Sequence, residues 1–341
     1  MIPQMKVSVI IPCRNEVRHI EGCIRNAFDF EAPEGGFEVI VVDGMSNDGT
    51  RNILSRLQKG IYPDLQVIDN PLGTVPHAMN LGIRKANGEY IVRIDARCIH
   101  PREYLLDLLE LSRKTGADNV GGVLYPLAGE TFMGECIALA YRSRISMGGA
   151  LRVREDFIGE MDTAYGGCFK KVRLIEVGLY DEEMVRNQDD ELSFRLREKG
   201  GRIFQSSKIR VGYYPRRFLG QVFRQFMQYG YWKITVIKKH PSQASLRHFM
   251  PAALVAGIGL GAILAFSHPF LLIGWVTMTG GYLISIGIES FRITPKDKGT
   301  RFFGIWITII AIHLGFGLGF LLNLLCSSWG VKPKWFETLT R

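Results

Sequence analysis

Short apolar runs alternate with longer amphipathic segments through the first third of the chain. Runs such as VSVII and VIVV have no polar face, which is typical of parallel strands covered by helices on both sides. The runs predict strands at residues 6–12, 38–42, 65–69 and 90–94, each followed by a helix, at residues 16–28, 48–58, 75–86 and 102–114. This alternation predicts an α/β fold with a doubly wound, mostly parallel sheet, whose ligand lies beyond the carboxyl ends of the strands.

The character of the sequence changes near residue 249, where it becomes strongly apolar. The runs at residues 250–266, 269–288 and 302–325 each contain at most one charged side chain. Their lengths approach the ~20 residues that a helix needs to cross a bilayer. The alternative, buried helices of a soluble domain, would require a small domain to cover all three. We predict a first domain at residues 1–240 and a membrane domain with about three transmembrane helices at residues 241–341.

The basic residues predict an orientation for these spans. Lys and Arg precede the first run and lie between the second and third, whereas only Ser267 and His268 join the first two. Because positively charged loops stay in the cytoplasm, the first domain is expected there, in a multi-pass membrane protein. The segment MIPQMKVSVIIP also lacks the pattern of a signal peptide. The basic tail residues Lys332, Lys334 and Arg341 oppose this orientation.

Composition narrows the possible partners. The 341 residues carry a formal net charge of +9, but no nucleic-acid-binding motif accompanies it. A basic balance is common in membrane proteins because anionic lipid attracts Lys and Arg, so we expect a membrane partner and no nucleic acid. The six cysteines show no paired spacing, which favours reduced thiols over disulfides or a zinc site.

Acidic residues stand at three points of this pattern. Asp43 in VIVVDGMSNDGT and Asp95 in EYIVRIDAR each end an apolar run, and carboxylates open the segment NQDDELSFRLR at residues 187–197. Such positions suit the binding of a nucleotide diphosphate and the deprotonation of an acceptor hydroxyl. Both features also have purely structural explanations: an Asx turn at Asp43, and stabilisation of a helix N-terminus by the acids of residues 187–197. PCRNE follows the first strand in place of GxGxxG, which counts against a dinucleotide-binding oxidoreductase.

The order of the motifs resembles the inverting family 2 glycosyltransferases of the GT-A fold, and among them the bacterial succinoglycan-biosynthesis glucosyltransferase subgroup. The segments that carry this resemblance are SVIIPCRNE, VVDGMSNDGT, HAMNLGIRKANGEYIVRIDAR, AYGGCFKK, NQDDELSFRLREKGG and QVFRQFMQYGYWK. It covers about residues 5–240. It implies transfer of one hexose, such as glucose, from a UDP-sugar donor to a lipid-linked saccharide acceptor in surface or exopolysaccharide biosynthesis, at a bacterial-type inner membrane.

The resemblance also implies roles for individual residues. Those that bind the nucleotide sugar are Pro12, Asn15, Glu16, Asp43, Asp95 and Arg97. The catalytic base is Asp189, with Asp190 and Glu191 as rivals in the same cluster. Those that meet the acceptor or the diphosphate are Gly166, Gly167, Gln221 and Arg224.

Two positions depart from the family pattern. Arg97 stands where the family has a second acidic residue or a histidine that binds metal, and a guanidinium cannot bind one. Either Asp95 and another side chain such as His100 hold Mn²⁺ or Mg²⁺, or Arg97 itself neutralises the diphosphate. Gln188 replaces a Glu beside the base. These departures leave open a catalytically silent scaffold that binds nucleotide sugar.

Two further features bear on the acceptor. Gln221 and Arg224 match the QxxRW element of processive polysaccharide synthases, but Gln225 replaces its Trp, which favours addition of a single sugar. Four arginines lie in a Gly-containing apolar stretch, and they belong either to a solvated or membrane-surface helix or to a site for the pyrophosphate of the acceptor. They are Arg142, Arg144, Arg152 and Arg154.

Overall fold

The computed structural model describes residues 6–146, 156–329, 333 and 336. Arg152 and Arg154 lie outside the described residues, as do the basic tail residues named above. The contacts between residues divide the chain into two units. The first contains the described residues of Met1–Tyr125 and Arg154–Tyr213, and the second contains those of Pro126–Val153 and Tyr214–Arg341. This division differs from a boundary at residue 240, and the cytoplasmic placement of the first 240 residues stays a prediction.

The first unit is built on one mixed sheet. Within the described residues its strands are β1 (Val7–Cys13), β2 (Phe37–Asp43), β3 (Gln66–Asp69), β4 (Tyr90–Arg93), β5 (Cys98–Ile99), β6 (Asn119–Pro126), β7 (Ile158–Glu160), β8 (Tyr165–Lys170) and β9 (Ile203–Tyr213). They follow the order β3-β2-β1-β4-β8-β6-β9-β5, with β7 on β9. β1 is parallel to β2 and β4, and β2 is parallel to β3, whereas β8 pairs antiparallel with β4 and β6, and β9 pairs antiparallel with β5 and β7.

Helices follow the parallel strands, as the alternation predicts. Those of the first unit are α1 (Ile20–Phe28), α2 (Thr50–Lys59), α3 (Val75–Lys85), α4 (Tyr104–Thr115), α6 (Lys171–Glu176) and α7 (Gln188–Glu198). All four predicted strand and helix pairs are confirmed. The first helix begins at Ile20 and not at residue 16, because residues 17–19 form a turn in which the backbone N of His19 and that of Ile20 both donate to the carbonyl oxygen of Glu16.

The central strand explains why its sequence has no polar face. Val7, Val9 and Ile11 of β1 pack into one apolar cluster beneath α1, α2 and α4. Ile10 packs on the opposite side, with residues of α3 and α7. All four are completely buried, and burying a side chain of this size contributes about 1.5–3 kcal/mol. The two clusters hold the parallel strands in place from both faces.

A buried carboxylate joins the strands near their amino-terminal ends. Glu38 of β2 accepts hydrogen bonds from Ser8 Oγ at 2.6 Å, from Gln66 Nε2 at 2.7 Å and from the backbone N of Asn87 at 2.6 Å. Ser8 Oγ in turn accepts from the backbone N of Gly88 at 2.8 Å. Desolvation alone would raise the pKa of Glu38, but these hydrogen bonds outweigh it and hold the pKa below its ordinary value.

The second unit is helical. It contains α5 (Phe132–Tyr141), α8 (Leu219–Lys239), a short 3-10 helix (Pro241–Gln243), α9 (Leu246–Ala265), α10 (Pro269–Ile293) and α11 (Arg301–Ser328). The last three are long and apolar enough to span a membrane, with mean hydropathies of 1.8, 1.6 and 2.2. Large apolar side chains such as Phe266 and Phe270 are exposed at the ends of α9 and α10, which suits lipid better than water. The three predicted apolar helices are confirmed.

Two helices of this unit pack closely on α11. A Cβ added at Gly319 would lie 1.9 Å from the carbonyl oxygen of Met227, so only glycine allows α8 to approach. Cys136 and Ala140 of α5 pack against Ile305 and Ile309 of α11 in a buried apolar cluster. Part of the apolar surface of α5 is therefore buried by α11.

Replacement of Glu38 by Gln should destabilise the first unit in a pH-dependent way. At neutral pH we expect a loss of about 1.5–3 kcal/mol in the free energy of unfolding, because an amide cannot accept all of these hydrogen bonds. Since the folded-state pKa is lowered, the carboxylate contributes above the unfolded value of about 4.3, and the difference from wild type shrinks as the pH falls below it. Thermal unfolding at several pH values measures this, with Glu34→Gln on an exposed loop as control. A difference that grows towards acid pH would contradict the assignment.

Candidate active site

The loops after β1 and β2 interlock at the carboxyl edge of the sheet. Ser46 Oγ accepts a hydrogen bond from the backbone N of Asn15 at 2.7 Å, and Thr50 Oγ1 accepts from the backbone N of Glu16 at 3.0 Å. The side chain of Asn15 donates to Asn47 Oδ1 at 3.0 Å and accepts from the backbone N of Asn47 at 2.9 Å. The loop that contains PCRNE and the loop that contains NDGT are thus held together by hydrogen bonds. Pro12, half-buried at the end of β1, precedes these loops.

Asp43 lies at this edge, as predicted, but its carboxylate already has partners. The side chain is buried, and it accepts from Ser46 Oγ at 2.5 Å and from the backbone N of Ser46 at 3.0 Å. Arg51 donates to it at 2.9 Å and also binds Asp69 at 2.8 Å. Asp43 therefore fixes the loop after β2 and the first turn of α2. Contact between Asp43 and a nucleobase stays a prediction.

Asp95 follows β4 and is bound from two sides. Arg93 donates to Oδ1 of Asp95, with both Nε and Nη2 at 3.0 Å. Tyr165 of β8 donates its hydroxyl to Oδ2 at 3.3 Å. Both oxygens of this carboxylate consequently have a donor from the chain. The sequence motifs did not identify Arg93 as part of the site, although a charged residue inside the apolar run YIVRI is a signal for it.

Arg97 and Glu16 form an ion pair between the loop after β4 and the loop after β1. Nε of Arg97 lies 3.2 Å from Oε1 and 3.1 Å from Oε2 of Glu16. The side chains are 27% and 20% exposed. Two residues predicted to bind the nucleotide sugar are therefore brought together. Their roles in binding stay predictions.

The three acids of the cluster open α7 in different environments. Glu191 is buried and accepts two hydrogen bonds from Arg195, at 2.9 and 2.6 Å, and Arg195 also donates to the carbonyl oxygen of Val177 at 2.5 Å. Asp190 is half-buried, whereas Asp189 is exposed to solvent. Glu191 thus has a structural task. Asp189 is the acid of the cluster that is most open to a substrate.

The charge of Asp189 is tuned by its neighbours. Although solvent reaches it, the protein encloses the carboxyl group enough that desolvation, followed by the charge of Asp190, raises its pKa above the ordinary value. The positive charge of Arg93 acts in the opposite direction. Arg93 therefore interacts electrostatically with both Asp95 and Asp189.

Gly166 and Gly167 are explained by local packing. Their φ angles are 72° and 63°, in the left-handed region that favours glycine. A Cβ added at Gly167 would lie 2.3 Å from the ring of Phe169, and one at Gly166 would lie 3.1 Å from the hydroxyl of Tyr104. These contacts account for glycine at both positions without an acceptor. Their contact with acceptor or diphosphate stays a prediction.

The remaining predicted residues lie in the second unit. Gln221 and Arg224 are in the first two turns of α8, and the Arg224 side chain is exposed. Arg142 donates to the carbonyl oxygen of Pro126 at 2.8 Å, and Arg144 is exposed. Their proposed contacts with an acceptor stay predictions.

The donors around Asp95 do not fit a divalent cation. Across the described ranges no group of three or more His, Cys, Asp or Glu side chains could hold a metal. His100 packs against Phe30 and Tyr104 in the core, with ring centroids 6.0 and 4.6 Å away, and neither of its nitrogens is accessible to solvent. Burial lowers its pKa to about 4, although Asp95 acts to raise it. The predicted alternative of Asp95 with His100 therefore lacks a suitable geometry.

Comparisons with known proteins agree with this architecture. Residues 8–135 match the model of a family described as Glycosyl transferase family 2. The succinoglycan biosynthesis protein ExoA of Rhizobium meliloti (strain 1021) is 29% identical over 334 residues, which cover 93% of this chain and 94% of that protein. A dolichyl N-acetyl-alpha-D-glucosaminyl phosphate 3-beta-D-2,3-diacetamido-2,3-dideoxy-beta-D-glucuronosyltransferase of Methanococcus voltae is 23% identical, covering 94% of this chain and 97% of that protein.

A solved structure extends the likeness to the fold. The mannosyltransferase PcManGT from Pyrobaculum calidifontis, in complex with GDP-Man and Mn²⁺, has a TM-score of 0.57 and 19% sequence identity. The likeness covers 94% of this chain and 87% of that chain. The GT-A fold expected from the sequence is confirmed, and so is the resemblance to family 2.

Glu191→Gln should reduce stability more than it changes chemistry. The substitution leaves the guanidinium of Arg195 without its carboxylate, which should lower the free energy of unfolding by about 1–3 kcal/mol. Thermal unfolding checks this. Glu110→Gln, which breaks an exposed ion pair with Lys114, is the matched control and should cost less than about 1 kcal/mol. Equal losses in the two variants would refute a structural task for Glu191.

Proposed function

We propose that this chain, whose residues 8–135 match the model of Glycosyl transferase family 2, moves one hexose from a nucleotide-diphosphate sugar to a lipid-linked saccharide acceptor with inversion at the anomeric carbon. The observation that carries the proposal is the exposed carboxylate of Asp189 at the start of α7. It belongs to the same unit as the loops that end β1, β2 and β4. An inverting transfer needs one base in addition to a donor site, and this unit offers both.

The reaction is a single displacement. Asp189 accepts the proton of the acceptor hydroxyl while that oxygen forms a bond to the anomeric carbon, and the bond from this carbon to the donor phosphate breaks with its electron pair on the leaving diphosphate. A raised pKa suits Asp189 to this task, because a base is most effective when its pKa approaches the working pH. Glu191 is bound to Arg195, which supports Asp189 over that rival.

The donor site is the carboxyl edge of the sheet. The side chains assigned to the nucleotide sugar follow the parallel strands, at the edge where α/β sheets bind ligands. They are Pro12, Asn15, Glu16, Asp43, Asp95 and Arg97. A UDP-sugar is the proposed donor, and the GDP-Man held by the structural neighbour supports a nucleotide-diphosphate sugar in this fold.

The acceptor and location follow from the relatives and the apolar helices. One relative is named for succinoglycan biosynthesis and another for transfer to a dolichyl-linked saccharide phosphate. These names, together with three helices able to span a membrane, support a lipid-linked acceptor in surface polysaccharide synthesis at a bacterial-type inner membrane. The first 240 residues then face the cytoplasm, and Gly166, Gly167, Gln221 and Arg224 meet the acceptor or the diphosphate.

The divalent cation expected from the sequence is not part of the proposed reaction. The structural neighbour holds Mn²⁺ together with its donor. In this chain Asp95 stands at the first acidic position of the expected metal motif, and the expected ion is Mn²⁺ or Mg²⁺. Because the side chains around Asp95 do not fit such an ion, no step of the proposed reaction uses a metal.

Transfer by the purified full chain in detergent tests the proposal. The protein is incubated with a panel of radiolabelled nucleotide sugars and a lipid-diphosphate-saccharide acceptor. We expect one donor to yield a labelled lipid lengthened by a single sugar. A ladder of products would indicate a processive synthase, and binding of nucleotide sugar without transfer would indicate a silent scaffold.

Asp189→Asn should lower the transfer rate by about 10²–10⁴-fold, because the amide cannot accept the proton. The affinity for the nucleotide sugar should change little, since the Asn side chain has nearly the same shape as Asp. Single-turnover rates and calorimetric donor binding measure the two effects separately. Asp190→Asn is the matched control and should retain most activity. An inactive Asp190→Asn together with an active Asp189→Asn would move the base by one residue.

A further inference from the structure

We infer that Arg97 supplies the positive charge that binds the donor diphosphate, in the place where other members of this fold use a divalent cation. The inference rests on the proposed function, because it assumes a nucleotide-diphosphate donor. It chooses between the two alternatives that the sequence leaves open at this position. The contacts of two carboxylates and two guanidinium groups carry it.

Both oxygens of Asp95 already accept a donor from the chain, although the side chain is 34% exposed. A carboxylate that binds a metal needs an oxygen lone pair directed at the ion. In the described structure Oδ1 of Asp95 accepts from Arg93 at 3.0 Å, and Oδ2 accepts from the hydroxyl of Tyr165 at 3.3 Å. Arg93 is only 14% exposed, so it is held against Asp95 by the surrounding protein. A metal at Asp95 would have to compete with this fixed guanidinium.

The charges of the two ion pairs at this edge of the sheet cancel. Arg93 and Arg97 contribute two positive charges, and their partners Asp95 and Glu16 contribute two negative charges. Within this group of four the charges cancel, and Asp189, whose charge also acts on Arg93, is the proposed base and not a proposed metal ligand. Arg97 would also repel a cation placed beside Asp95, since like charges at short distance oppose one another.

Glu16 engages only one nitrogen of the Arg97 guanidinium. Among the described residues its hydrogen bonds are made by Nε alone, to the two oxygens of Glu16. The terminal Nη1 and Nη2 groups remain available, and the side chain is partly exposed at 27%. Two parallel N–H donors match the oxygens of a phosphate, which is why Arg binds phosphate in a forked geometry. Glu16 holds the guanidinium by its inner edge and leaves the outer edge for a ligand.

Nucleotide binding with and without metal tests the inference. Calorimetry measures the affinity of the full chain in detergent for UDP, GDP and dTDP, in EDTA and then in Mn²⁺. We expect one of the three to bind with nearly equal affinity in both conditions. Arg97→Ala should weaken that binding in EDTA by about 10–100-fold, the range for a lost hydrogen bond to a charged group. Arg113→Ala, on an exposed position of α4, is the control and should bind as wild type.

Two further variants separate charge from structure. Arg97→Lys keeps one positive charge beside Glu16 but removes the forked donors, so its nucleotide affinity in EDTA should fall by less than that of Arg97→Ala. Arg97→His introduces a side chain that can bind metal, so nucleotide binding lost in EDTA should return with Mn²⁺. Equal weakening in Arg97→Lys and Arg97→Ala, with equal losses of thermal stability, would reduce Arg97 to a structural residue and overturn the inference.

The outcome also distinguishes this inference from the proposed function. Binding by wild type that disappears in EDTA and returns with Mn²⁺ overturns the role of Arg97 and leaves glycosyl transfer intact. Failure of all three nucleotides to bind in either condition overturns both. Unchanged binding in Arg97→Ala contradicts the role of Arg97 alone.

Discussion

The parallel pairing of β1 with β2 and β4 is the constraint on which the first unit depends. Every backbone group of a central strand must find its partner in a neighbouring strand, and both faces of β1 are covered by apolar clusters. Polar side chains are consequently excluded from most of its length and are concentrated at the strand ends. The Glu38 network occupies the amino-terminal region, and the acids and arginines of the candidate site occupy the carboxyl edge.

The environments of the carboxylates distinguish those with structural partners from the one proposed to act as a base. Glu38 and Glu191 are both buried, and each is surrounded by donors from its own chain. Asp189 stands in the same helical turn as Glu191, yet it is exposed and its pKa is raised. The three residues have the same functional group. Their different partners, and not their identity, separate the two structural carboxylates from the proposed base.

The sequence predicted much of the fold because periodicity is a local property. Apolar runs without a polar face identified the parallel strands, and long uncharged runs identified α9, α10 and α11. The place of β8 between β4 and β6 could not be predicted in this way, since its partners lie far away along the chain. The same limit applies to the site, where the order of the motifs located Asp43 but the position of Arg51 beside it depends on the folded loop.

The helix α5 has a consequence for the synthesis of the chain. Its residues are made long before Ile305 and Ile309, against which Cys136 and Ala140 pack. At ~5–20 residues per second, a ribosome would need roughly 10–30 s to complete the intervening segment. During that interval the part of α5 that packs on α11 has no permanent cover, whereas Ile137 can already pack against Val222 and Phe226 of α8. Lipid or a chaperone has to shield the uncovered part until α11 is complete, and a chain cut after residue 240 would never provide that cover.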